Sequence, residues 1–103
     1  MIRGYFSRAH GVNRPFIDVT LQFSTLGNRS IDVPLLVDSG ADCTVLSPTD
    51  AAALVVFEAT EGAPSMPSIL GRDVLSRFAL VLEERTHRVL LLEPEEADRV
   101  NWP

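Results

Sequence analysis

The 103-residue sequence predicts a single, mainly β domain with one or two short helices, and three observations predict it. Residues 15–23 alternate without a break, with Ile17, Val19, Leu21 and Phe23 on one side and Asp18, Thr20 and Gln22 on the other. That period of two is the mark of a half-buried strand. Turn signals at Gly27-Asn28 and around Arg85-Thr86-His87 separate apolar runs of strand length. Helical signals are confined to two short stretches, one after Ser47 and one after Gly71.

In chain order, residues 2–6 read as a short strand and 10–13 as a loop carrying Gly11. The strand 15–23 turns through 24–30 into a returning strand at 31–37. Pro34 inside that strand points to an edge position or an irregularity, because proline cannot donate to a ladder. Residues 44–46 read as extended. Ser47 is a candidate helix cap, Pro48 suits a first helical position, and Ala51-Ala52-Ala53-Leu54 continues the helix. Val55-Val56-Phe57 is β-prone, and 61–68 is a loop with Gly62, Pro64 and Pro67. Val74, Leu75 and Phe78 lie at helical spacing within 72–78. Residues 78–84 and 88–92 form a last hairpin. From Glu93 onward the chain reads as a solvated acidic tail, with Trp102 either packed at a dimer interface or frayed.

Hydrophobic residues make up 46% of the chain, enough for a real core. A domain of this size buries only about 60–70% of its unfolded surface, so a second copy is an expected source of stability. A net charge of −5 opposes nucleic-acid and anionic-membrane partners, which need basic patches. The longest apolar run is the seven residues 51–57, too short for a membrane span, and residues 1–10 lack the apolar core of a signal peptide. A single cysteine cannot form an internal disulfide and fits a reducing, cytoplasmic setting. One cysteine and two distant histidines are too few for a zinc cluster, and neither a metal nor another cofactor is expected.

The strongest chemical signal is an apolar strand that stops at Asp38-Ser39-Gly40. A carboxylate at the end of a buried element is partly desolvated, Ser39 can hydrogen-bond to hold the loop, and Gly40 permits close backbone approach. Such a loop can bring a carboxylate against a symmetry mate. Two like charges about 3 Å apart cannot both ionise, so one serves as acid and the other as base.

The run Val37-Asp38-Ser39-Gly40-Ala41-Asp42-Cys43-Thr44-Val45-Leu46 resembles the active-site segment of the retropepsins, the retroviral-type aspartic proteases. Ile69-Leu70-Gly71-Arg72-Asp73-Val74-Leu75 resembles that family's second signature, placed before its single helix. The resemblance covers most of the chain, so 1–103 is read as one retropepsin-like domain. It implies a closed, barrel-like acid protease fold with one short C-terminal helix and one lobe per chain. It implies that Asp38 is the catalytic aspartate, with Ser39 and Gly40 completing its loop. Ala41, Asp42 and Arg72 are then substrate-binding or structural, and Asp42 pairs with Arg72 as a latch. If buried, that latch would cost roughly 3–5 kcal/mol to break from one side. Cys43 reads as a small buried residue rather than a nucleophile. With one such loop per chain, the resemblance implies a homodimer in which two Asp38 carboxylates activate a water to hydrolyse peptide bonds.

The stretch between the two motifs is shorter than in retropepsins. The flap region between about 47 and 68 has Gly62 as its one glycine before the second motif. Three readings stand open: the flap is absent, residues 58–67 form a reduced lid, or a flap belonging near Leu54–Val55 is missing from the sequence. A functional alternative goes with the first: a non-catalytic module of the same fold that dimerises or binds peptides without a working flap.

Overall fold

The computed structural model describes residues 1–24, 27–55 and 66–103. The domain is mainly β, as its patterning predicts. Two open sheets face each other. One has the order β1-β7-β6, built from β1 (Ile2–Arg3), β6 (Ala79–Glu83) and β7 (Arg88–Leu92). The other has the order β2-β3-β4-β5, built from β2 (Tyr5–Ser7), β3 (Arg14–Phe23), β4 (Arg29–Val37) and β5 (Ser68–Leu70). The expected closed barrel is not formed among the described residues: the ladder ends at β1 and β6 in one sheet and at β2 in the other. Among the described residues there are three short helices: α1 (Pro48–Val55) and α2 (Arg72–Leu75) stand where the helical signals after Ser47 and Gly71 put them, and α3 (Pro94–Ala97) goes beyond the single C-terminal helix that the resemblance implies.

The alternation in β3 sets the inner face. Ile17, Val19 and Leu21 pair across the hairpin with Leu35, Val33 and Ile31. From the other sheet, Val89 and Leu91 meet this face, and Leu70 and Leu75 complete the core. The turn between β3 and β4 is reached through Gly27 and Asn28, both in the left-handed region (φ 70° and 57°) that these two residue types tolerate best. Pro34 lies inside a central strand, at a level where β4 has β3 on one side but β5 does not begin pairing until Leu35. The position is locally an edge, which reconciles the proline with the sheet.

Residues 2–6 are not one strand. The chain leaves one sheet after Arg3 and enters the other at Tyr5, with Gly4 at the crossing. Gly4 N donates to Val89 O at 2.9 Å. A Cβ on Gly4 would lie 2.3 Å from the Phe16 carbonyl oxygen and 2.6 Å from a Val89 methyl. Gly4→Ala is therefore expected to destabilise the fold by about 1–3 kcal/mol, the usual cost of overpacking, read as a lower midpoint in urea.

The start of α1 behaves as its sequence suggests. Ser47 Oγ accepts from Asp50 N (3.2 Å) and donates to Asp50 Oδ2 (3.0 Å), a reciprocal cap with aspartate at the third position. Ser68, buried in β5, donates its hydroxyl to the same Asp50 carboxylate and accepts from Ser47 N at 2.8 Å. This buried network ties α1 to β5 beside β4. The β-prone reading at 55–57 is corrected at Val55, which ends α1. Residues 56 and 57 lie outside the described residues, as does 58–65 of the proposed flap region.

The tail is also more ordered than its acidity suggests. Pro94 opens α3, and the Glu93 and Glu96 side chains cap each other's backbone. Trp102 is exposed but donates its ring N–H to Ala97 O at 2.9 Å.

Candidate active site

Asp38 begins where β4 ends. Its N–H donates to Leu70 O at 3.1 Å, which continues the parallel β4–β5 ladder by one step. The chain then turns back: Ala41 N donates to Asp38 O at 3.1 Å, and Gly40 N donates to Asp38 Oδ1 at 2.9 Å. One oxygen of the half-buried carboxylate is thus oriented by the loop itself. Ser39 and Gly40 are exposed at the tip.

The second motif runs through the bend of the first. On one side of β5 lies β4; on the other, Val45 and Ile69 exchange both backbone hydrogen bonds, at 2.9 and 2.8 Å. Further along, Arg72 N donates to Ala41 O (2.8 Å) and Asp73 N to Asp42 O (3.1 Å). Residues 37–45 therefore wrap around 69–73, and backbone bonds on both flanks hold them there.

Gly71 and Asp73 make this wrap possible. A Cβ at Gly71 would sit 2.4 Å from the Cys43 carbonyl carbon and 2.9 Å from Thr44 N, so only glycine fits. Gly71 N donates to Thr44 Oγ1 at 3.0 Å. Asp73 Oδ1 accepts from Thr44 N (2.9 Å), Thr44 Oγ1 (2.8 Å) and Val74 N (3.0 Å). These bonds to its charged form, those from Thr44 above all, hold the Asp73 carboxyl below its usual range.

A depressed folded-state pKa means that the ionised lock contributes fully above the unfolded carboxylate value, about 3.9. The contribution is lost as pH falls through the lower folded value. Asp73→Asn keeps an oxygen that can accept the same bonds but removes the charge. Thermal melts should show the wild type losing more stability than Asp73→Asn between pH 5 and pH 2; equal losses would remove Asp73 from the acid sensitivity.

The expected Asp42–Arg72 pair is present but is not the latch. Its closest N–O approach is 3.8 Å, with the side chains 91% and 66% exposed. An exposed pair of this kind contributes at most about 1 kcal/mol, far below the buried case. The latch is backbone to backbone through Ala41 and Asp42, and side chain to backbone through Asp73. Cys43 corrects another expectation: it is exposed rather than buried, and it is its backbone carbonyl that faces Gly71.

Of the six site residues expected from sequence, all lie in or against this wrap. Asp73, Thr44 and Gly71 lie within the two motifs, but the sequence alone assigns no role to Gly71 or Asp73. Nothing local signals the Thr44–Asp73 bond, which joins residues 29 apart. Among the described residues, no group of three or more His, Cys, Asp and Glu side chains is placed to hold a metal. No helix there is long and apolar enough to cross a membrane. Comparison with known proteins finds no match among protein-family models, curated proteins or solved structures.

Proposed function

We propose that the chain is a retropepsin-like aspartic endopeptidase that works as a homodimer. The observation that carries this reading is the wrap of 37–45 around 69–73, which presents Asp38 on a loop fixed by hydrogen bonds from both flanks. A carboxylate that must meet its counterpart across a two-fold axis needs such a rigid mount, because a displacement of about 1 Å is enough to lose much of a catalytic rate.

In the dimer the two Asp38 side chains share one proton and hold a water between them. The ionised carboxylate takes a proton from that water as it attacks the peptide carbonyl, while the protonated one gives its proton to the carbonyl oxygen. The resulting diol then collapses as one carboxylate takes back a hydroxyl proton and the other protonates the nitrogen, breaking the C–N bond and releasing the amine and the acid. No covalent intermediate forms. The substrate binds as an added extended strand. Val45, 55% exposed, and its bridge partner Ile69 offer apolar surface for side chains next to the scissile bond.

The test is cleavage of a mixed peptide pool at pH 4–6, with and without a statine-type mimic of the tetrahedral species, alongside sedimentation of the same sample. A dimer that cleaves and is blocked by the mimic is expected. A stable dimer that cleaves nothing across that range would favour the non-catalytic module.

A further inference from the structure

We propose a second site, an oxyanion pocket formed by the Arg3 and Arg88 guanidiniums at the β1–β7 pair. Arg3 stands opposite Leu90 in the register, and Arg88 lies two residues before Leu90 on β7. The two arginines are therefore diagonal neighbours on one face of the sheet, within reach of a common ligand. They line one cavity of about 350 Å³ together with Gly4, His87 and Val89, and no acidic residue lines it among the described residues.

The chain has 14 acidic residues against 9 basic ones, and all of the basic ones are arginine. Among the described residues, neither Arg3 nor Arg88 is in an ion pair with a carboxylate. The carboxylates nearest in the topology are already engaged. Glu83, opposite Arg88 in the register, accepts from Arg85 Nε at 2.8 Å, and Glu96 is paired with the Met1 ammonium at 2.5 Å. Arg88 Nε donates to Thr86 Oγ1 at 2.9 Å, which steadies the side chain and leaves its terminal nitrogens for a ligand.

His87 sits on the rim with a left-handed backbone (φ 53°). Its ring stacks on Phe6 with centroids 5.0 Å apart and contacts the Asn13 amide at 3.3 Å. Two planar forks lining one concavity suit an oxyanion, which a guanidinium can grip through two nitrogens. The ligand class is therefore a phosphate or carboxylate group.

Amide NMR on the full chain tests this by titration with inorganic phosphate and, separately, with acetate, at an ionic strength held constant with chloride. Saturable shifts centred on Arg3, Gly4, Arg88 and Val89 are expected in at least one arm, and the tighter arm identifies the anion. The double variant Arg3→Gln, Arg88→Gln should bind at least tenfold more weakly, with the rest of its spectrum unchanged. Asp38→Asn should bind as the wild type does, so failure here is separable from failure of the peptidase reading. Shifts that do not saturate, that scatter over the surface, or that survive in the double variant would overturn the site.

Discussion

Asp38→Asn is expected to abolish peptide cleavage, by a factor on the order of 10³ or more, while leaving the protein folded and its oligomeric state unchanged. Asparagine retains an oxygen that can accept the Gly40 N–H now made to Asp38 Oδ1 at 2.9 Å. The backbone bonds from Asp38 N to Leu70 O and from Ala41 N to Asp38 O do not involve the side chain at all. What is lost is the proton inventory. A dyad needs one carboxylate to accept a proton and one to supply it, and an amide does neither near neutral pH. In a homodimer each variant chain removes its half, so the fully substituted dimer has no base left for the water. Steady-state cleavage, a thermal melt and sedimentation of the variant read the three parts separately. Normal cleavage by folded Asp38→Asn would end the aspartic peptidase proposal. An unfolded variant would instead contradict the claim that the loop is held by its backbone.

The legible parts of this molecule were those with local chemistry. The β3–β4 hairpin announces itself because burial of one face forces strict alternation at 15–23. The cap of α1 is readable because Ser47 and Asp50 are three residues apart. The two motif segments could be named because each is contiguous. What escaped depends on where distant segments cross. Gly4 looks like a glycine in a strand until the Phe16 carbonyl is found beneath it. Sequence points to the opposite charges Asp42 and Arg72 for the lock, because charge is visible in a sequence. It is carried instead by Asp73 bonding to Thr44, a contact that exists only once β5 has threaded the bend. The α3 turn is legible locally, because Glu93-Pro94-Glu95-Glu96 combines a reciprocal cap with a proline at the first turn, although its acidity by itself reads as a solvated tail.

Threading makes the second large prediction, because the tightest point of the fold is backbone against backbone. Gly71→Ala should both destabilise the domain and disable the Asp38 loop. Its methyl would meet the Cys43 carbonyl carbon at 2.4 Å and carbonyl oxygen at 2.5 Å, with Thr44 N at 2.9 Å. No flexible side-chain end is available to yield, so residues 43–44 or 71 must move. Movement at Thr44 strains the bonds to Gly71 N and Asp73; movement at Gly71 strains the step from Leu70 to Asp38. The expected loss is about 3 kcal/mol or more, at the upper end for overpacking, and it should appear as a lower urea midpoint. The discriminating comparison is Leu75→Ala, which opens a cavity in the same core and costs about 2–5 kcal/mol. Its side chain makes none of the hydrogen bonds that hold 37–45 to 69–73, so under conditions where both variants remain folded it should keep most of the cleavage rate. Gly71→Ala should lose it. If the two variants lose activity in proportion to stability alone, the wrap is a structural clasp with no particular hold on Asp38.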